Sequence, residues 1–224
     1  IDETRERADI ILDRPPLNII EIPQREQLRL VFEELDKDDR VRVIVLRAEG
    51  KHFSSGGNIA GFLAASPEHV SELANNIAAP ARCHKPVVAQ IRGYSFGVGF
   101  ELPLACDFRI CSETAQFALP EQRIGQIPGS GGSIRLLHMI GIQRTKDMTF
   151  RSRRVSGAEA KARDAARHGG VPLLRLVFVR PDRHLVHLRG HHLRRDGRRS
   201  GRAEFPDWRS APVRHPDGDR LGLD

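Results

Sequence analysis

The sequence predicts an α/β fold over residues 1–161, with layered sheets flanked by helices. Three observations support this prediction. Short runs rich in Val, Ile and Leu recur along this part of the chain, and amphipathic or apolar segments of helical length separate them. Proline and glycine mark the boundaries between the runs. Short strands that alternate with helices are typical of α/β proteins, in which helices cover the sheets.

Four strands are predicted, each from an apolar run of strand length that is bounded by turn residues. They cover residues 8–13, 41–46, 86–91 and 107–111. The first of them ends at Arg14-Pro15-Pro16, because proline has no N–H to donate to a sheet ladder.

Four helices are predicted between and after these strands. They cover residues 23–36, a region that runs from Ser66 toward Cys83, residues 98–105 and residues 129–140. The first helix is amphipathic, and its predicted apolar face consists of Leu28, Val31, Phe32 and Leu35. Ser66 and Pro67 are typical of an N-cap and a first helical position. Glycine-rich turns precede the last two helices.

Residues 162–224 differ in composition from the rest of the chain. They hold 14 Arg and no Lys against 8 acidic residues, whereas residues 1–161 hold 22 basic and 21 acidic residues. We therefore predict a folded core at 1–161 and an irregular Arg- and His-rich tail at 162–224, which has too little apolar content to form an independent domain. One hypothesis is that the tail is a frameshift product of a GC-rich gene, since Arg, Pro, Gly and Ala codons are GC-rich and Lys codons are not. The alternative is a genuine basic tail.

The basic pI of about 10.0 raises the question of nucleic-acid binding. Because nearly all the excess charge lies in the tail, we expect no specific nucleic-acid partner, and any binding to be non-specific. No apolar run reaches the roughly 18 residues of a membrane span, and the first residues lack the apolar core of a signal peptide. Three unpaired cysteines fit a reduced, cytoplasmic protein without a membrane partner. Scattered histidines predict no metal site.

Two glutamates, Glu101 and Glu121, suggest the chemistry. Glu101 follows a glycine-rich turn that opens a short apolar helix, and Glu121 follows Pro120 at the end of a strand-like run. Two carboxyl groups delivered from different elements can share one water molecule and move its protons. That is the chemistry of adding water to a polarised double bond. Taken singly, Glu101 also fits a paired core acid, and Glu121 also fits a solvated turn residue.

Two glycine-rich turns can supply backbone N–H groups to the oxyanion that forms in such a reaction. One contains Gly56 and Gly57 and follows the second predicted strand, and the other is Gly97-Val98-Gly99 at the start of the helix that carries Glu101. Either turn alone also fits an ordinary tight turn.

Together these features resemble the crotonase, or enoyl-CoA hydratase/isomerase, superfamily over residues 8–161. The resemblance is carried by residues 14–18, 41–46, 51–57, 85–88, 93–107, 120–121, 125–132 and 153–160. It implies a fold of repeated ββα units. It also implies a homotrimer or hexamer, provided that the C-terminus permits one. The tail does not resemble the family's C-terminal helices, which cover the active site and help to build that trimer, so we expect weakened or absent activity.

The resemblance also implies roles for individual residues. Gly57 and Val98 correspond to the two backbone donors of the oxyanion hole, although the family usually has glycine at the position of Val98. Glu101 and Glu121 correspond to the catalytic acid/base pair. Residues that correspond to the family's substrate-binding positions are Ser55, Asn58, Ile59, Gly97, Pro128 and Gly129. Asn58 stands where aspartate is common.

The implied function is addition of water across the 2,3 double bond of an acyl-CoA thioester, in fatty-acid or aromatic-acid metabolism. Coenzyme A is part of that substrate, so no separate cofactor is expected. Three alternatives stay open: an enoyl-CoA isomerase, a hydrolase of cyclic β-keto acyl-CoA thioesters, and an inactive remnant that binds acyl-CoA.

Overall fold

The computed structural model describes residues 1–63, 65–168 and 176–178. The strands in these ranges are β1 (Arg7–Leu12), β2 (Val43–Ala48), β3 (Val87–Ile91), β4 (Tyr94–Phe96), β5 (Phe108–Cys111), β6 (Gln116–Ala118), β7 (Val155–Ser156) and β8 (Leu176–Phe178). The helices are α1 (Ile22–Lys37), α2 (Ile59–Leu63), α3 (Pro67–Ile77), α4 (Val98–Leu104), α5 (Gly132–Ile140), α6 (Ile142–Phe150) and α7 (Gly157–His168).

The larger sheet has five parallel strands in the order β1-β2-β3-β5-β8. Ile44 and Leu46 of β2 and Val87 of β3 are fully buried, as expected for a parallel sheet that is covered by helices. Leu28 and Phe32 of α1 belong to the same core. The predicted α/β class is confirmed.

The smaller sheet contains β4, β6 and β7, and β4 runs parallel to β6. On the other edge of β4, Ser54 forms a parallel bridge with Ser95. The Ser54 N–H donates to the Tyr94 carbonyl at 2.8 Å, and the Phe96 N–H donates to the Ser54 carbonyl at 3.0 Å. Three extended segments therefore run side by side in one direction and end at the same edge.

Helix α4 leaves this edge and is buried along its whole length. Its first turn is set by Gly97, which has a φ of +52° and donates its N–H to the Ala118 carbonyl at 3.0 Å. At the other end, the buried Arg109 side chain donates to the carbonyls of Pro103 and Cys106 at 2.9 and 2.6 Å. The helix is thus fixed at both ends by groups outside it.

One part of the predicted apolar face of α1 is wrong, because Val31 is 39% exposed. With about 100° per residue, Arg25 and Val31 lie on opposite edges of the stripe formed by Leu28 and Phe32. The helix is rotated so that Arg25 is buried and Val31 faces outward.

Two helix boundaries also differ from the predictions. Helix α3 has the predicted N-cap, in which Ser66 Oγ accepts the His69 N–H at 3.3 Å, but it ends at Ile77, and a separate 3₁₀ turn follows at Ala79–Arg82. Helix α5 begins at Gly132 rather than at residue 129, because Gly131 adopts a left-handed conformation with a φ of +89°.

Regular structure continues past residue 161, since α7 extends to His168 and β8 pairs with β5. The predictions for residues 169–175 and 179–224 lie outside the described residues. Within those that are described, every helix is too short or too polar to cross a membrane.

Candidate active site

The edge where the three parallel segments end brings several predicted site residues together. The segment that contains Ser54 leads to Gly57, β4 leads to Gly97 and Val98, and β6 leads to Glu121. Because parallel strands present their carboxyl ends at the same edge, residues far apart in sequence meet here.

Glu101 lies one turn into α4 and is only 3% exposed. Its Oε1 accepts hydrogen bonds from the backbone N–H groups of Ser130, at 2.8 Å, and Gly132, at 2.9 Å. Burial raises the pKa of Glu101, whereas the two N–H groups and the nearby charge of Arg25 oppose that rise. The carboxyl group is thereby held in one orientation at the start of α5.

Glu121 is the first residue of a 3₁₀ turn, Glu121–Ile124. A side chain on Gly97 would place its Cβ 3.0 Å from Glu121 Oε1, so this carboxyl group lies against the start of α4. In the described part of the protein, Glu121 Oε2 is buried and has no hydrogen-bond partner. Burial raises the pKa of Glu121 to about 7, and the nearby Glu101 contributes to the rise.

The two carboxyl groups therefore flank the N-terminal turn of α4, and Glu101 contributes to the raised pKa of Glu121. Glu121 can be protonated or ionised near neutral pH, whereas Glu101 receives two N–H donors that favour its charged form.

Two backbone N–H groups accompany the carboxyl pair. Val98 is the first residue of α4, so its N–H has no acceptor within the helix. Gly57 follows Gly56, whose Cα packs so closely on the Phe96 carbonyl that a Cβ would lie 3.1 Å from that oxygen. Among the described residues, the N–H of Gly57 takes part in no hydrogen bond.

The residues predicted to bind substrate lie around this edge with different degrees of exposure. Ser55 is half-buried, and its N–H donates to the Leu17 carbonyl at 2.9 Å. Asn58 is half-buried just before α2, and Ile59 is exposed as the first residue of that helix. Gly97 is buried beside Glu121.

Pro128 and Gly129 lie in the segment that leads to α5 and reaches the site at Glu101. Pro128 is half-buried and Gly129 is exposed, and they immediately precede Ser130, whose N–H binds Glu101. The Arg135 side chain donates to the Ser130 carbonyl at 2.8 Å and so holds this segment in place. The segment is therefore tied to the position of Glu101.

Sequence analysis missed one charged residue at this edge, Arg25 on α1. It is 3% exposed, and a Cβ on Gly57 would lie 2.7 Å from Arg25 Nη2. Its guanidinium group lies over the ring of Phe62, 5.1 Å from the ring centre. Its burial could have been suspected from helical spacing. Arg25 lies three residues before Leu28 and seven before Phe32, so it shares the apolar face of the helix.

The described residues hold no group of three or more His, Cys, Asp or Glu side chains that could bind a metal ion.

Comparisons with known proteins identify the family of the chain. The family model for enoyl-CoA hydratase/isomerase matches residues 4–165. The carnitinyl-CoA dehydratase of Proteus mirabilis is 36% identical over 163 residues, which cover 68% of this chain and 60% of that protein. The chain thus spans less than two thirds of the length of this curated relative.

Two solved structures are similar in fold and sequence. An enoyl-CoA hydratase from Bacillus anthracis is 31% identical with a TM-score of 0.67, and the match covers 77% of this chain and 66% of that one. An enoyl-CoA hydratase from Mycobacterium avium subsp. paratuberculosis is 28% identical with a TM-score of 0.69, over 80% of this chain and 69% of that one. The chain belongs to the enoyl-CoA hydratase/isomerase family of the crotonase superfamily.

Proposed function

We propose that the protein is a carbon–oxygen lyase that adds water across the 2,3 double bond of an enoyl-CoA thioester. The observation that carries this proposal is the pair of carboxyl groups, Glu101 and Glu121, at the N-terminal turn of α4. One is held by two N–H groups, and the other has a pKa of about 7. Such a pair can supply a base and an acid at neutral pH.

In the proposed reaction, the thioester oxygen binds between the backbone N–H groups of Gly57 and Val98. These donors stabilise the negative charge that develops on that oxygen, and one such donor is typically worth about 3–4 kcal/mol. Glu101 accepts a proton from water as the water oxygen bonds to the β-carbon. Glu121 then delivers a proton to the α-carbon, and the same steps in reverse remove water.

The relatives support hydration over the other reactions of the family. Their names describe a dehydratase that acts on carnitinyl-CoA and hydratases that act on enoyl-CoA. The presence of both Glu101 and Glu121 supports the same choice, because a hydratase needs one group to activate water and one to protonate carbon. Assembly into a trimer or hexamer stays a prediction.

Hydration of crotonyl-CoA by the purified protein tests the proposal directly. The loss of ultraviolet absorbance of the enoyl thioester gives the rate, and chromatography identifies the 3-hydroxyacyl product. We expect Glu101→Gln and Glu121→Gln each to lower kcat by about 10²–10⁴-fold. Glu113→Gln provides a matched control, because Glu113 forms only an exposed ion pair with Lys161 at 3.3 Å.

Two results would contradict the proposal. Unchanged turnover in Glu121→Gln would show that the measured activity does not arise at this site. Activity on a 3-enoyl-CoA or a cyclic β-keto acyl-CoA, without hydration of crotonyl-CoA, would identify the isomerase or the hydrolase instead.

A further inference from the structure

Arg25 is a buried cation whose charge the described residues do not neutralise directly. Its side chain is 3% exposed, and its Nε has no hydrogen-bond partner among those residues. Burial lowers its pKa to about 10, so it still carries a charge at neutral pH. Arg29, one turn further along α1, shows the ordinary alternative, since it forms a surface ion pair with Glu33 at 2.9 Å.

The guanidinium group of Arg25 lies beside the proposed thioester site. Its Nη2 occupies the space that a side chain on Gly57 would need, and its planar group covers the ring of Phe62 in α2. A cation held over an aromatic ring is partly stabilised, but the ring cannot accept the N–H groups in the plane of the guanidinium. These contacts place the guanidinium group, and its N–H donors have no hydrogen-bond acceptor among the described residues.

Glu101 does not pair with the guanidinium group of Arg25. The charge of Glu101 is close enough to influence Arg25, but its Oε1 is already bound by the N–H groups of Ser130 and Gly132. The ion pairs formed by the described residues, at up to 4.0 Å, do not include Arg25. A buried charge without a bonded partner is strongly unfavourable, so the position of Arg25 fits a site that an anion completes.

We propose that Arg25 binds a carboxylate carried by the acyl group, so that the site selects CoA thioesters with an anionic acyl chain. The guanidinium fork matches a carboxylate through two parallel N–H donors, which a neutral or cationic chain end cannot use. The inference deepens the proposed function, because it names the class of acyl group that this site accepts. The binding step itself does not depend on hydration.

Calorimetric titration with two non-reacting thioesters, glutaryl-CoA and its methyl ester, tests this selection without turnover. The two ligands have the same acyl chain and differ in the charged end. We expect the protein to bind glutaryl-CoA roughly 10–100-fold more tightly than the ester, in line with a hydrogen-bonded charge pair. Arg25→Met should bring the ratio close to one, Arg25→Lys should retain part of it, and Arg29→Met should leave it unchanged.

Each outcome bears on the proposal. Equal affinity of the wild-type protein for the two thioesters would overturn it, and this comparison holds even if Arg25→Met does not fold. Equal weakening of both ligands in a folded Arg25→Met protein would also overturn it, because Arg25 would then act on the part that they share. A charge preference without hydration of either crotonyl-CoA or the anionic 2-enoyl thioester glutaconyl-CoA would support the carboxylate site and count against the hydratase. Hydration without a preference for glutaryl-CoA over its methyl ester would support the hydratase and overturn the carboxylate site.

Discussion

Glu101 Oε1 lies 2.9 Å from the backbone nitrogen of Gly132, the first residue of α5. The same oxygen lies 2.8 Å from the Ser130 nitrogen. The N-terminus of a helix favours negative charge, so this contact stabilises the ionised form of Glu101 against the effect of burial. The start of α5 therefore fixes the direction of the proposed base and offsets part of the effect of burial on its ionisation.

Substitution of Gly132 by alanine should displace that base. The new Cβ would lie 2.8 Å from Glu101 Cγ and 2.9 Å from Glu101 Oε1, so the carboxyl group would have to move. A misplacement of about 1 Å can lower the rate about 10²-fold, and we expect a loss of that size in kcat for crotonyl-CoA hydration. Ser133→Ala, at the next residue of α5, is the control. Wild-type kcat in Gly132→Ala would show that the contact with α5 does not position the base.

The hydration rate should fall as the pH rises above about 7. Glu121 must be protonated to deliver a proton to carbon, and its pKa is about 7 because it is buried near Glu101. Initial rates of crotonyl-CoA hydration from about pH 6 to about pH 9 measure the descending limb. Glu121→Gln should lose both most of the rate and this limb. A wild-type rate that stays constant across the range would contradict the role of Glu121 as the acid.

The same carboxyl group should make folding stability depend on pH. The pKa of Glu121 is about 7 in the folded protein and 4.5 as its ordinary value, so the folded state binds more protons between these values. The stabilisation is fully present below about pH 4.5 and is lost as the pH rises through about 7. Glu121→Gln should remove this loss, because glutamine does not ionise. The change in the free energy of unfolding caused by the substitution should therefore be about 1–2 kcal/mol more favourable at about pH 8 than at acid pH. Urea unfolding at both pH values measures the difference, and an identical effect at both would contradict the burial of the charge.

The sequence was sufficient for β1, β2, β3 and β5 and for α1, α3, α4 and α5, because their signals are local, whereas the short elements β4, β7, α2 and α6 were not predicted. The roles of Glu101 and Glu121 stay predictions. Apolar runs and turn residues marked these four strands to within about two residues, and Ser66 marked the start of α3. The approach of Glu121 to the start of α4 depends on the parallel pairing of β4 with β6, which a local sequence pattern does not show.

The remaining features of the site depend on contacts between distant parts of the chain. Arg25 meets Gly57, which is 32 positions later, and the hydrogen bonds to Glu101 come from residues 29 and 31 positions later. Helical periodicity places Arg25 at the edge of an apolar stripe but does not decide whether Arg25 or Val31 is buried. The rotation of α1 against the sheet decides that, and it results from packing of the whole core.

Gly99 provides a test of how tightly α4 is seated. A Cβ at Gly99 would lie 2.6 Å from both Cβ and Oγ of Ser54, and 2.8 Å from the Ser54 carbonyl oxygen. Ser54 cannot retreat easily, because its N–H and carbonyl are both bonded to β4. We therefore expect Gly99→Ala to lower the free energy of unfolding by about 3 kcal/mol, the upper part of the range for overpacking.

Gly61→Ala is the control for this substitution, since its Cβ would make only ordinary contact with Asn58 at 3.8 Å. That change should leave stability equal or slightly higher, because alanine favours a helix more than glycine does. Urea unfolding of both variants gives the comparison. If Gly99→Ala were as stable as Gly61→Ala, α4 could shift away from Ser54 at little cost. The backbone N–H of Val98, one residue earlier, would then not be held rigidly enough to serve as a fixed oxyanion donor.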